Sequence, residues 1–340
     1  TALDSSESIL LEDDIYLSED MRTYSGFSGI FDGDGYTIYN LQTQIIHTLR
    51  DDAILRNVVF EGTQLQDDMS IIGMNNGRIK SVVVKDFTTK FRSVLSGILV
   101  KLNHSTIQGC TVSEGVLHGD VAGGICGRST KGEITNCVVS NVKIRAGTNV
   151  GGICGESSST DIYNCQCTDS EVFGENATGG ICGRAGSCDL HNNNVSNVQL
   201  YTGYSVAGIV SRASEQNTIK NCHINDSKLS ALGQVNGICA AFTQGETVSC
   251  SMKNCEIDVF KSDSLVSLFS SGGAVRNCFV EDISINGIHI DLFVNDIDII
   301  HSLAKEVSVT AESVNDKIQF TDPESFFASV QSHTASDFTG

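Results

Sequence analysis

The sequence predicts one right-handed parallel β-helix, an all-β solenoid of ten to eleven coils with a short capping helix at its C-terminal end. Three observations predict it. A four-residue motif returns at a nearly fixed period, and apolar positions fall into columns once the chain is aligned on that motif. The composition has 33 glycines, one proline and no tryptophan, with 40% of residues apolar, enough to fill a core but unlike a helix-rich enzyme.

The motif is an aliphatic residue, two residues that are mostly polar, then a small or apolar one. It reads I-T-N-C ending at Cys137, I-Y-N-C at Cys165, L-H-N-N at Asn193, I-K-N-C at Cys222, M-K-N-C at Cys255 and V-R-N-C at Cys278. Upstream the same frame ends at Leu41, Val58, Val82 and Cys110. From Val82 to Cys222 the steps are 28, 27, 28, 28 and 29 residues, after which one step stretches to 33 and the next shrinks to 23. A period of this size is one supersecondary unit that buries its apolar face only by stacking on its neighbours. A second apolar segment recurs at residues 123–127, 151–155, 179–183, 207–211 and 236–240. Two short strands per period, a third between them, and turns rich in Ser, Gly, Asn and Asp make a three-faced coil with no room for helices.

Because a strand sends residues i and i+2 to the same side, the columns of the core can be written down. Cys110 pairs with Val112, Cys137 with Val139, Cys165 with Cys167, Cys222 with Ile224, Cys255 with Ile257 and Cys278 with Val280. Leu117, Ile144, Val172, Leu200 and Leu229 form a third column, and Ile98, Ile125, Ile153, Ile181, Ile209 and Ile238 a fourth. The residue before each motif position is predicted to form an inward-turned corner ladder of Asn40, Asn57, Asn136, Asn164, Asn192, Asn221, Asn254 and Asn277, passing amide hydrogen bonds between coils. Asn141, Asp169, Asn197, Asp226 and Asp282 suit a second turn column of left-handed or Asx-turn geometry.

An open solenoid end exposes unpaired strand edges, so caps are expected. Thr321, Asp322, Pro323 and Glu324, followed by Phe326, Phe327 and Val330, combine an acidic N-cap, proline at the first helical position and an apolar stripe. The solenoid is therefore assigned to 1–320, and 321–340 to a capping helix and tail of the same domain. Residues 8–17 read as a first strand and 27–41 as a turn and strand. Asp32-Gly33-Asp34-Gly35 reads as a tight turn, since a calcium loop would need a third acid and a distal Glu.

The formal net charge is −19, dispersed along the chain. Nothing offsets phosphate repulsion, which argues against nucleic acid as a partner, and no stretch approaches the ~20 apolar residues of a membrane span. The chain opens at Thr1 on polar sequence with no signal peptide, which fits a cytoplasmic protein or a mature fragment. Thirteen cysteines in odd number and without C-x-x-C spacing do not make a small disulfide scaffold. In-register side chains point the same way, so the cysteines are expected to be reduced and packed in ladders as small hydrophobes.

The G-G-I-C-G segments followed by I-x-N-C, with F-S-G-I-F-D-G-D-G-Y-T-I-Y-N-L near the start, resemble the GLUG-type repeats and β-helical regions of bacterial cell-surface proteins. These include the non-catalytic N-terminal regions of immunoglobulin A metalloproteases. The resemblance covers roughly residues 8–305. It departs from the usual pattern in placing Ile and Cys where Leu and an aliphatic residue are common. It implies adhesion, display or ligand recognition, with a glycan or a host or cell-surface protein as partner, an extracellular or cell-surface location, and membership of a larger polypeptide.

No histidine lies in an H-E-x-x-H arrangement, so the zinc-protease chemistry of the larger relatives is not carried here, and no cofactor, metal site or catalytic residue is assigned. The alternative, a polysaccharide lyase or glycoside hydrolase, would need clustered carboxylates on one face. Asp291, Asn295, Asp296 and Asp298 with His301 are the best such cluster; no Lys or Arg stack accompanies them, and they read as a solvated turn. A second alternative is a structural spacer. The candidate binding residues are His118, Arg145, Phe173 and Tyr201, which fall with Ser230 in one outward column beside Val116, Lys143, Glu171, Gln199 and Lys228. Rings and guanidinium groups dominate recognition energetics, which is why this strip is preferred.

Overall fold

The computed structural model describes residues 4–5, 7–18, 23–65, 70–89, 93–214, 216–240, 244–261, 264–270, 272–287, 289–294, 299–300, 302–311, 313–318, 326–327 and 330–334. Each repeat closes one coil of a right-handed parallel β-solenoid. One coil shows the plan: Cys154–Ser158 on the first face, Asp161–Tyr163 on the second, then Gln166–Thr168, Glu171–Gly174 and Ala177–Gly179 around the third. Every segment pairs in parallel with its equivalent on the next coil, as in Ile162 opposite Leu190 and Val172 opposite Leu200. Among the described residues strands stack nine deep on the first face and twelve deep on the second, and the solenoid has about nine turns where ten to eleven were expected.

The columns of isoleucine, of Leu117 to Leu229, and of cysteine all point into one continuous core. The second glycine of each G-G-I-C-G segment has a packing reason. A Cβ on Gly124 would sit 2.5 Å from the carbonyl oxygen of Gly152 and 2.8 Å from a Val139 methyl, so only glycine lets successive coils approach there.

The corners are made by left-handed residues. Among the described residues 23 non-glycine positions have positive φ, and 16 of them are Asn or Asp, the two types whose short polar side chains tolerate that region. One corner column runs Asn57, Ser81, Gly109, Asn136, Asn164, Asn192, Asn221, Ser249 and Asn277. These asparagines face outward, not into the core as expected, because a left-handed residue at a convex corner turns its side chain to solvent and its successor's N–H inward. Amide hydrogen bonds pass between coils along three members of the column: Asn192 Nδ2 donates to Asn164 Oδ1 and Asn221 Nδ2 to Asn192 Oδ1, both at 3.2 Å.

What turns inward is the residue after the corner, and this explains the cysteines. A cysteine in that position donates its thiol to the carbonyl two residues back, as Cys165 Sγ does to Tyr163 O (3.4 Å) and Cys278 Sγ to Arg276 O (3.4 Å), whereas Cys126, Cys154 and Cys182, elsewhere on the coil, donate to the carbonyl two residues ahead. The N–H freed at the corner is taken by the next coil: Cys222 N donates to Cys250 Sγ (3.4 Å), Cys250 N to Cys278 Sγ (3.5 Å) and Cys278 N to Ser302 Oγ (3.0 Å). Asn193 occupies a cysteine position and does the same work with its amide, accepting from Cys165 N at 2.9 Å and donating to Ile162 O at 2.9 Å. At the next corner Ser170 and Ser227 accept from Val142 N and Val198 N, both at 3.1 Å. All thirteen cysteines are buried and free.

This register corrects the frame at two places. Cys250, not Cys255, continues the cysteine column, so the steps of 33 and 23 become two steps of 28. Asn254 and Asn40 belong instead to the second turn column, and Cys255 stands opposite Ile283, with Ile257 opposite Leu229 rather than Ile224. That column now reads Asn40, Gly62, Asp86, Glu114, Asn141, Asp169, Asn197, Asp226, Asn254, Asp282 and Glu306, every member with positive φ. From Asn141 to Asp282 it alternates Asn with Asp. Asn197 Nδ2 donates to Asp169 Oδ1 (2.7 Å) and Asn254 Nδ2 to Asp226 Oδ1 (3.2 Å). Two carboxylates stacked at the ~4.8 Å coil spacing would repel by roughly 1 kcal/mol in water, and the alternation replaces that repulsion with a charge-assisted hydrogen bond.

The ends differ from expectation. Residues 8–17 form two strands, Ile9–Leu10 and Ile15–Tyr16. Asp32-Gly33-Asp34-Gly35 is the tight turn predicted: Asp34 N donates to Asp32 Oδ1 (3.1 Å), and that carboxylate also holds Arg56 (2.7 Å). The capping helix is replaced by strands, Phe326–Phe327 and Val330–Thr334, both paired with Leu303–Ala311. The open edge of the last coil offers a row of backbone partners to any apolar β-forming segment, and this outweighs the helix-start signal of Asp322 and Pro323, which lie outside the described residues. No helix among the described residues is long and apolar enough to cross a membrane.

Candidate binding site

Along the third face, residues 143 and 145 and their equivalents on following coils point outward while Ile144, Val172 and Leu200 point in. Two outward columns result, in the register expected. Lys143 stands opposite Glu171, which stands opposite Gln199 and then Lys228; Arg145 stands opposite Phe173, then Tyr201 and Ser230. Between them lies a concave site of about 410 Å³, lined by Ile144, Arg145, Glu171, Val172, Phe173, Gln199 and Tyr201.

The rings of Phe173 and Tyr201 stack with centroids 5.2 Å apart and planes 12° from parallel, and remain 36% and 37% exposed. Charges on the polar wall are spoken for. Lys143 Nζ holds Glu171 at 2.8 Å, and Lys228 Nζ holds Glu256 at 3.1 Å and Asp258 at 2.5 Å. The carboxylate of Asp258 in front raises the Lys228 pKa, with Glu256 adding to it.

The structure brings three of the four predicted residues together. His118 heads the column but is drawn to the coil above: its N–H donates to Thr89 Oγ1 (2.8 Å) and its Nδ1 lies 3.1 Å from Thr89 O. It does not line the cavity. Ser230 is buried, so the strip closes below Tyr201.

Sequence reasoning missed the third ring. Phe260 lies 6.3 Å from Tyr201, tilted by 44°, and is exposed. With Cys255 taken as the motif cysteine, Phe260 fell in line with Ser227; in the true register its N–H donates to Ala231 O, which sets it beside the exposed Leu232. Arg212 lies 5.8 Å over the Tyr204 ring and bonds Asn176 Oδ1 at 2.8 Å, extending the aromatic surface around the turn. On the second face Tyr163 stacks on His191 at 4.7 Å and 5°, and its hydroxyl donates to Glu133, which raises its pKa. Of the acid cluster, Asn295, Asp296, Asp298 and His301 lie outside the described residues, while Asp291 sits in the strand His289–Val294.

No known family model and no curated protein matches the chain. Among solved structures it is similar to a candidate immunoglobulin A1 protease from Bacteroides ovatus, at 18% identity and TM-score 0.36 over 98% of this chain and 80% of that one. It is also similar to the A-module of a mannuronan C-5 epimerase from Azotobacter vinelandii, at 12% identity and TM-score 0.34, over 89% of this chain and 90% of that one. A surface protein and adhesin of Streptococcus pneumoniae follows at 10% identity and TM-score 0.23, over 90% and 92%. At such identities the likeness concerns the coil and transfers no activity.

Proposed function

We propose that this chain is a non-catalytic recognition module of a bacterial surface or secreted protein, and that it holds its ligand on the strip around Phe173 and Tyr201. The observation that carries the reading is the pair of parallel, part-exposed rings set in a concave site beside ion-paired side chains. Rings pinned on adjacent coils of a rigid sheet lose little freedom when a ligand arrives, and contact area of that kind converts efficiently into affinity. Apolar ring surface next to the Gln199 amide suits a sugar, which alternates C–H and hydroxyl groups along its edge. The resemblance to surface-protein repeats supports an extracellular setting, and the net charge of −19 disfavours anionic surfaces and nucleic acid.

The test is a glycan panel applied to the whole chain and to a Phe173→Ala/Tyr201→Ala double variant. Binding that falls at least roughly tenfold in the variant, without change in melting temperature, supports the assignment. Binding that survives the double substitution removes the site, and depolymerised product shows an enzyme.

A further inference from the structure

Of the basic side chains in the two outward columns of the strip, Lys143 and Lys228 are held by carboxylates and Arg145 is not. Arg145 is exposed at the lip of the cavity and, among the described residues, makes no ion pair. Its column neighbours are His118 and Phe173, and the acid nearest in register, Glu171, is held by Lys143. Tyr201 covers one face of Phe173; the other turns toward the coil of Arg145, where the cavity lies.

Resting on the recognition reading above, we propose that the strip takes a glycan bearing a single carboxylate, with the carboxylate on Arg145 and the pyranose against the face of Phe173 turned away from Tyr201. A guanidinium presents a planar fork of N–H donors that matches two carboxylate oxygens, and a pyranose ring joined directly to that carboxylate places its C–H face one coil away, over Phe173. Glu171 and Gln199 on the opposite wall are positioned to accept and donate to hydroxyls. The surrounding negative charge selects against ligands with several anionic groups, so the class is a mono-uronide or a singly sialylated sugar rather than a long polyanion.

The experiment titrates the whole chain with cellobiouronic acid, its methyl ester, sialyllactose and lactose, using the unchanged protein and the Arg145→Gln and Arg145→Lys variants. The expected result is that an acidic sugar binds roughly tenfold more tightly than its neutral counterpart, that Arg145→Gln erases this difference by weakening the acidic sugar far more than the neutral one, and that Arg145→Lys restores part of it. Which acid responds, uronate or sialate, identifies the source of the carboxylate. Equal binding of acid and neutral sugar, unaffected by Arg145→Gln, overturns this inference and leaves the recognition strip standing. Silence on all four sugars with Arg145-dependent binding of a hexaglutamate peptide overturns it in favour of a protein ligand. Neutral and acidic binding that both ignore the Phe173→Ala/Tyr201→Ala variant remove the strip itself.

Discussion

The side-chain oxygen of Asn193 accepts the backbone N–H of Cys165 from the preceding coil at 2.9 Å, in a core where its column neighbours are cysteines. From Cys110 to Cys278 every rung of that column carries a side chain that can accept a hydrogen bond from the coil before it, whereas Val58 and Val82 earlier in the column carry none. Replacing Asn193 by Leu would leave Cys165 N and Ile162 O without partners and is expected to cost about 2–4 kcal/mol, whereas Asn193→Cys should cost less than about half of that. Urea unfolding of the two variants decides it, and equal losses would show that volume rather than hydrogen bonding governs the position.

The corner asparagines predict a different ranking. Asn164 has φ 55° and an exposed side chain. Asn164→Ala should destabilise by about 1 kcal/mol, because a Cβ without a local hydrogen bond is strained in the left-handed region, and Asn164→Gly should lose less. If alanine and glycine melt alike, the conformation at this corner is not what the side chain supports.

The thiols give a chemical and a pH prediction. Burial pushes Cys167 up to about 12 and Cys255 up to about 11. The native chain should therefore resist thiol-directed reagents at pH 8, with all thirteen cysteines reacting once denaturant is added. A raised thiol pKa favours the folded state below the unfolded value near 8.5 and withdraws that support as pH rises toward the folded one, so the melting temperature should fall between about pH 9 and 11. Rapid labelling of the native protein would contradict the sealed core.

Where the Asn–Asp alternation stops, Asp282 meets Glu306 directly. The hydrogen bond to Glu306, then burial, hold the Asp282 pKa up, while Glu281, bonded by Lys253 and Lys305, is held down. A raised carboxyl stabilises the fold in acid and ceases to do so as pH climbs through its folded pKa. Glu306→Gln restores an amide donor beneath Asp282 and should raise the melting temperature at pH 7, with the gain disappearing near pH 4. A gain that persists in acid would point to packing instead of charge.

Much of this was legible in the residues. The 28-residue period, the isoleucine column and the Arg145–Phe173–Tyr201 register all follow from alternation, which the chain obeys where coils have equal length. The register errors near Cys255 share one cause. The triplet ending in Asn254-Cys255 imitates the motif, and only the coil-to-coil hydrogen bonds of Cys250 reveal that Ser249 holds the corner. That slip hid Phe260. The outward turn of the asparagines was equally beyond pattern reading, since periodicity gives faces of strands but not the direction of a side chain on a left-handed residue.

The alternation from Asn141 to Asp282 makes the unit of lengthening two coils rather than one. Deleting or duplicating a single 28-residue coil there would set Asp on Asp or Asn on Asn, whereas a pair can be added or removed with every rung still matched. Within that stretch a matched solenoid grows in even numbers, and its parity is written on the surface.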